Sequence, residues 1–123
     1  MTFSSIPLAA AAAVHRIRSL HSPAAPFVEP DPVLQALAEA ALEADLTDSS
    51  RLERAPGIPE LTGRDHACFR GRGWSTPEGF VEHIRYDPAG LDNMTIMRLT
   101  RVGIAYRPNA NGINFWFMLL AAA

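Results

Sequence analysis

The sequence predicts an α+β fold: a three-layer α-β-α sandwich with a small antiparallel sheet between helices. Three observations predict it. One amphipathic helix is opened by Asp31-Pro32, a second is opened by Ser75-Thr76-Pro77-Glu78, and two strand-like segments flank the turn Arg107-Pro108-Asn109-Ala110-Asn111-Gly112. The second of those segments, Phe115-Trp116-Phe117-Met118-Leu119-Leu120, is so continuously apolar that both of its faces must be covered. Helices on both sides of the sheet follow. With 123 residues, 48% of them hydrophobic, the chain has enough material for one domain, residues 1–123, around one core.

The elements are justified in order. Residues 8–20 form the first helix, with Leu8, Ala11, Ala12, His15 and Leu20 giving a loose 3.6-residue stripe. The competing reading of the N-terminus as a signal segment is weaker, because the short apolar run lacks a basic start and Arg16 and Arg18 follow it. Pro23, Pro26, Pro30 and Pro32 then mark a stiff extended link. The central helix covers residues 31–46, with Asp31 as N-cap and Pro32 at the first helical position. Val33, Leu34, Leu37, Ala41, Leu42 and Leu46 form its buried face, away from Glu39, Glu43 and Asp45. Residues 47–73 carry Pro56, Gly57, Pro59, Gly63, Gly71 and Gly73 with little periodicity, and read as a long irregular connection.

A helix over residues 75–86 comes next, capped by Ser75 or Thr76, with Glu78 able to complete a capping box with Ser75. Phe80, Val81 and Ile84 supply its buried face, and Pro88 stops it. Residues 99–120 form the antiparallel hairpin, in which Val102, Ile104 and Tyr106 alternate with Gly103 and Ala105. Trp74, Phe115, Trp116 and Phe117 suit core packing better than the lining of a ligand cavity.

Composition excludes several function classes. A net charge of −2 with mixed signs leaves no footprint for nucleic acid or an anionic membrane. The apolar residues 113–123 are about half the length of a membrane span. All 11 basic residues are arginine, so Schiff-base and phosphate-loop lysine chemistry are absent. The single cysteine, Cys68, allows no internal disulfide.

The run Ser75-Thr76-Pro77-Glu78, a helix, Asp87-Pro88-Ala89-Gly90-Leu91-Asp92-Asn93 and then Thr100-Arg101-Val102-Gly103-Ile104-Ala105 resembles the C-terminal half of bacterial CAP-superfamily domains (cysteine-rich secretory proteins, antigen 5 and pathogenesis-related 1), also called SCP-like domains. Asp31-Pro32-Val33-Leu34, followed by Leu37-Ala38, is similar to the start of that family's central helix. The resemblance implies the same three-layer fold, an extracellular or periplasmic location, and in many members a metal-holding cleft of two histidines and two acids. Gly90 stands where the family has one of those histidines, Leu46 to Arg51 contains no counterpart of the other, and Arg70 to Trp74 contains no counterpart of the acid in the family's G-E-N phrase.

The inherited cleft chemistry is therefore expected to be lost, with no metal or other cofactor retained. The expected function is a noncatalytic module that binds a small apolar ligand or a protein partner through the cleft beside the helix Thr76 to Tyr86. The rival expectation is a metal-dependent or cysteine hydrolase. His66 and Cys68 are spaced to present two ligands on one side of an extended segment, and a helical His83 could complete a zinc site or an imidazole–thiol pair. Cys68 is more often a small buried hydrophobe, and His83 more often a partly exposed helix residue. Asn93 is expected to brace the turn by an Asx-type hydrogen bond, and Arg98 and Arg101 to keep the sheet edge solvated.

Overall fold

A computed structural model describes residues 5–48 and 58–123. Helix α1 (Ser5–His21) leads through the proline link to a two-residue strand β1 (Glu29–Pro30) and helix α2 (Pro32–Thr47). A 3-10 turn at Pro59–Leu61 precedes β2 (His66–Arg72), α3 (Pro77–Ile84), α4 (Pro88–Met94), β3 (Arg101–Pro108) and β4 (Asn114–Ala121). The four strands form one sheet in the order β1-β3-β4-β2. Strand β4 pairs antiparallel with both β2 and β3, as in Cys68 opposite Leu119 and Ile104 opposite Met118, while β1 adds a parallel edge to Arg101 and Val102. The sheet is thus mixed at that edge.

Period-two alternation of side chains builds two cores from one sheet. Val102, Ile104, Trp116, Met118 and Leu120 face Val14, Ile17, Phe80, Val81, Ile84 and Met94 of α1, α3 and α4. Ala105, Phe115, Phe117 and Leu119 face Leu34, Ala38 and Leu42 of α2 on the other side. Both faces of β4 are covered, which is why its sequence shows no polar alternation.

Several expectations are corrected by the structure. Helix α1 turns Ala10, Ala13, Val14, Ile17 and Arg18 inward, and Leu8 and Leu20 stand exposed. Of the expected stripe only Ala11 is buried, and Val14 and Ile17 carry the inward face with the small alanines beside them. Arg18 is fully buried at the end of that face; Nε donates to the Met94 carbonyl (2.8 Å) and Nη2 to that of Ile96 (3.1 Å). It satisfies carbonyls at the C-terminus of α4, a favourable place for a cation, and burial lowers its pKa to about 10.

In α2, Val33 is exposed and Asp45 is buried. Asp45 faces inward because Arg70 of β2 meets it at 2.9 Å. Residues 66–72, read as part of an irregular connection, form a strand; its arginines and Gly71 conceal the alternation of buried Ala67 and Phe69. Pro88 ends α3 but also begins α4, since proline suits the first helical position.

Candidate functional site

The residues expected to carry chemistry lie around the junction of α3 and α4 and the face of β2. Thr76, not Ser75, caps α3, its Oγ1 accepting from Gly79 N at 3.0 Å. Glu78 is consequently the second helical residue, one short of capping-box spacing. Beyond Ile84 the chain turns through Asp87 into α4, and a cleft of about 220 Å³ is left between this turn and β2. Cys68, Arg70, His83, Asp87, Gly90 and Asn93 line it.

Gly90 explains why that cleft is small. A Cβ at this position would stand 2.6 Å from the Ile84 carbonyl oxygen and 2.9 Å from Ile84 Cγ2. Real Cβ atoms do not approach backbone that closely, so α4 packs against the end of α3 only because position 90 has no side chain. Position 90, where the resemblance would put a histidine, therefore has no room for a side chain as the helices stand.

The three candidate residues of the hydrolase reading are not brought together. Cys68 and His83 share the cleft, but His66 lines a separate depression with Ile58, Pro59 and Thr62. Its Nδ1 lies 2.7 Å from the Arg64 carbonyl, so that nitrogen carries the proton and donates. The His83 ring lies against Trp74, with centroids 4.6 Å apart. Burial pushes the Cys68 thiol pKa up, Arg70 opposes the shift, and Asp45 adds to it. A thiol shifted in that direction is a poor nucleophile at neutral pH. Among the described residues no group of three His, Cys, Asp or Glu side chains is placed to hold a metal ion.

Asn93 lies exposed in the last turn of α4. The Asx turn expected of it is made by Asn109, whose Oδ1 accepts from Asn111 N (2.9 Å) and Ile113 N (3.0 Å) in the hairpin. Arg98 pairs with Asp65, just ahead of the edge strand β2, and Arg101 with Glu29 of the opposite edge strand β1. Phe115, Trp116 and Phe117 are core residues.

A larger groove, about 510 Å³, lies elsewhere, over the open edge of β3. Its walls are Ile6 and Pro7 of α1 and Gln35, Glu39, Leu42 and Glu43 of α2, and its floor is residues 104–107. Gln35 completes the sheet edge where β1 stops: its Oε1 accepts from Ile104 N (2.9 Å) and its Nε2 donates to Ile104 O (2.5 Å). Glu39 and Glu43 were legible in the sequence as residues away from the buried face of α2, but the use of Gln35 at a strand edge was not.

No protein-family model matches the chain, and no curated protein matches it by sequence. Solved structures do. An outer surface protein from Borrelia burgdorferi superposes with a TM-score of 0.68 at 10% identity, covering 99% of this chain and 95% of that one. Ancylostoma-secreted protein Ac-ASP-7, a CAP-family member, superposes with a TM-score of 0.52 at 16% identity, covering 97% of this chain and 67% of that one. The fold is CAP-like. The manganese-bound form of Ac-ASP-7 gives the same TM-score at 17% identity. Within this CAP-like fold the α3–α4 junction is the one closed by Gly90, and the groove at β3 is the larger opening. Among the described residues, no helix is long and apolar enough to cross a membrane.

Proposed function

We propose that the chain is a noncatalytic CAP-like module, extracellular or periplasmic, that binds a small apolar ligand. The observation that carries this reading is the contrast between the two openings. The cleft that holds Cys68 and His83 is small and closed at Gly90, whereas the β3 groove is walled by Ile6, Pro7, Leu42, Ile104 and Ala105 and contains no thiol or imidazole. Its volume falls in the range of small-molecule sites. The ligand site is thus assigned to the β3 groove instead of the cleft beside the helix Thr76 to Tyr86. Similarity in fold to an outer surface protein and to a secreted protein supports the location.

The test is binding of the neutral apolar fluorophore N-phenyl-1-naphthylamine to the wild type and to Ile6→Arg, a change at a half-buried wall residue of the groove, together with metal analysis of protein purified without chelator. Saturable fluorescence enhancement that Ile6→Arg abolishes is expected. Stoichiometric zinc that disappears in Cys68→Ala and His83→Ala would overturn the noncatalytic reading.

A further inference from the structure

Glu39 occupies a particular place in the β3 groove. Gln35, one helical turn before it, is bonded to the Ile104 backbone, and Glu43, one turn after it, pairs with Arg107. A helical turn advances about 5.4 Å and two strand residues about 6.6 Å, so the two rows run nearly in step. Glu39 is therefore set beside Tyr106. Strand alternation turns the Tyr106 backbone to the same edge as those of Val102, which accepts from Asp31 N, and Ile104, which Gln35 occupies. Among the described residues the Tyr106 N–H and C=O have no strand or side-chain partner on that edge, and the Glu39 carboxylate accepts from the Gln35 amide and pairs with no cation. The groove holds two carboxylates against the single guanidinium of Arg107, and that guanidinium is already engaged by Glu43.

We infer that the groove takes a small primary ammonium with an apolar tail, its N–H donors shared between the Glu39 carboxylate and the Tyr106 carbonyl. The inference rests on the reading of this groove as an apolar-ligand site. The tail lies against Ile6, Pro7 and Leu42, and the head meets one charged and one neutral acceptor. An ammonium supplies three donors and no acceptor, which matches that pair. A hydrogen bond to a charged partner is the stronger kind, and Glu39 gives the head one. An anionic head would meet the same carboxylate and be repelled.

The experiment is an NMR titration of the full chain, followed at backbone amides, with octylammonium, octyltrimethylammonium, octanol and octanoate below their micelle concentrations. Octylammonium is expected to shift the amides of residues 35–43 and 104–107 and to bind at least about tenfold more tightly than octanol, as one charge-assisted hydrogen bond requires. Octanoate should bind most weakly. In Glu39→Gln, an exposed substitution that leaves the fold intact, octylammonium should fall to the affinity of octanol. Equal binding of octylammonium and octyltrimethylammonium, which has no N–H, would overturn the ammonium seat. Equal binding of all four probes would also overturn it and leave the apolar-groove reading standing, whereas absence of shifts in the groove with any probe would remove both.

Discussion

Gly103 of β3 lies directly against the backbone of Leu34 in α2: a Cβ on Gly103 would stand 2.3 Å from the Leu34 carbonyl carbon and oxygen. The helix can approach the strand this closely only over a glycine, and the contact seats Gln35 next to the strand edge. Gly103→Ala must push α2 away and is expected to destabilise the protein by about 3 kcal/mol. Urea unfolding checks it, with loss of a cooperative transition as the extreme outcome.

Gln35 replaces the missing continuation of β1. Gln35→Ala removes two hydrogen bonds to Ile104 and leaves its backbone groups open, an expected loss of about 1–3 kcal/mol. It also lengthens the free edge of the sheet, so concentration-dependent self-association should appear in light scattering. A variant that stays monomeric and as stable as wild type would show that water serves the edge equally well.

Gly90→His restores the residue type of the resembling family without restoring its space. With the Ile84 carbonyl 2.6 Å from the new Cβ, about 2–3 kcal/mol of stability should be lost. Calorimetric titration with manganese should show no gain of binding. Gain of a stoichiometric site would mean that α4 yields more readily than its packing implies.

Cys68 has its thiol pKa raised, first by burial, then reduced by Arg70 and raised again by Asp45. Its alkylation by iodoacetamide should be slower than that of glutathione at neutral pH and should keep rising above the ordinary thiol range near about pH 8.5. The sign for stability follows. The folded protein holds this proton where the unfolded chain releases it, so the contribution is full below the ordinary thiol pKa and is lost as pH rises through the raised one. Alkaline urea titration of the wild type against Cys68→Ser should show the difference.

The central helix was readable because Asp31 and Pro32 signal locally, and the hairpin because Asn109 and Gly112 do; Asp31 Oδ1 accepts from Val33 N and Leu34 N, and Gly112 has φ +77°. Strand β2 was hidden because an edge strand carrying Arg70 and Arg72 keeps polar residues at positions that a central strand would make apolar. That position 90 carries no side chain was visible, but its close contact with Ile84 was not, since the contact depends on the angle between α3 and α4. Buried Asp45 and Arg18 were unreadable for the same reason: their partners, Arg70 and the carbonyls of Met94 and Ile96, lie 25 to 78 residues away.

The position of β4 in the middle of the sheet has a consequence during synthesis. Strands β2 and β3 both pair with it, and neither pairs with the other. As the chain leaves the ribosome, β2, β3 and the apolar faces of α1, α2 and α3 are all outside before residues 114–121 emerge. Until then β2 has no partner strand, and β3 has only its two-residue contact with β1. The last strand to emerge is thus the one that contributes side chains to both cores, Trp116, Met118 and Leu120 to one and Phe115, Phe117 and Leu119 to the other.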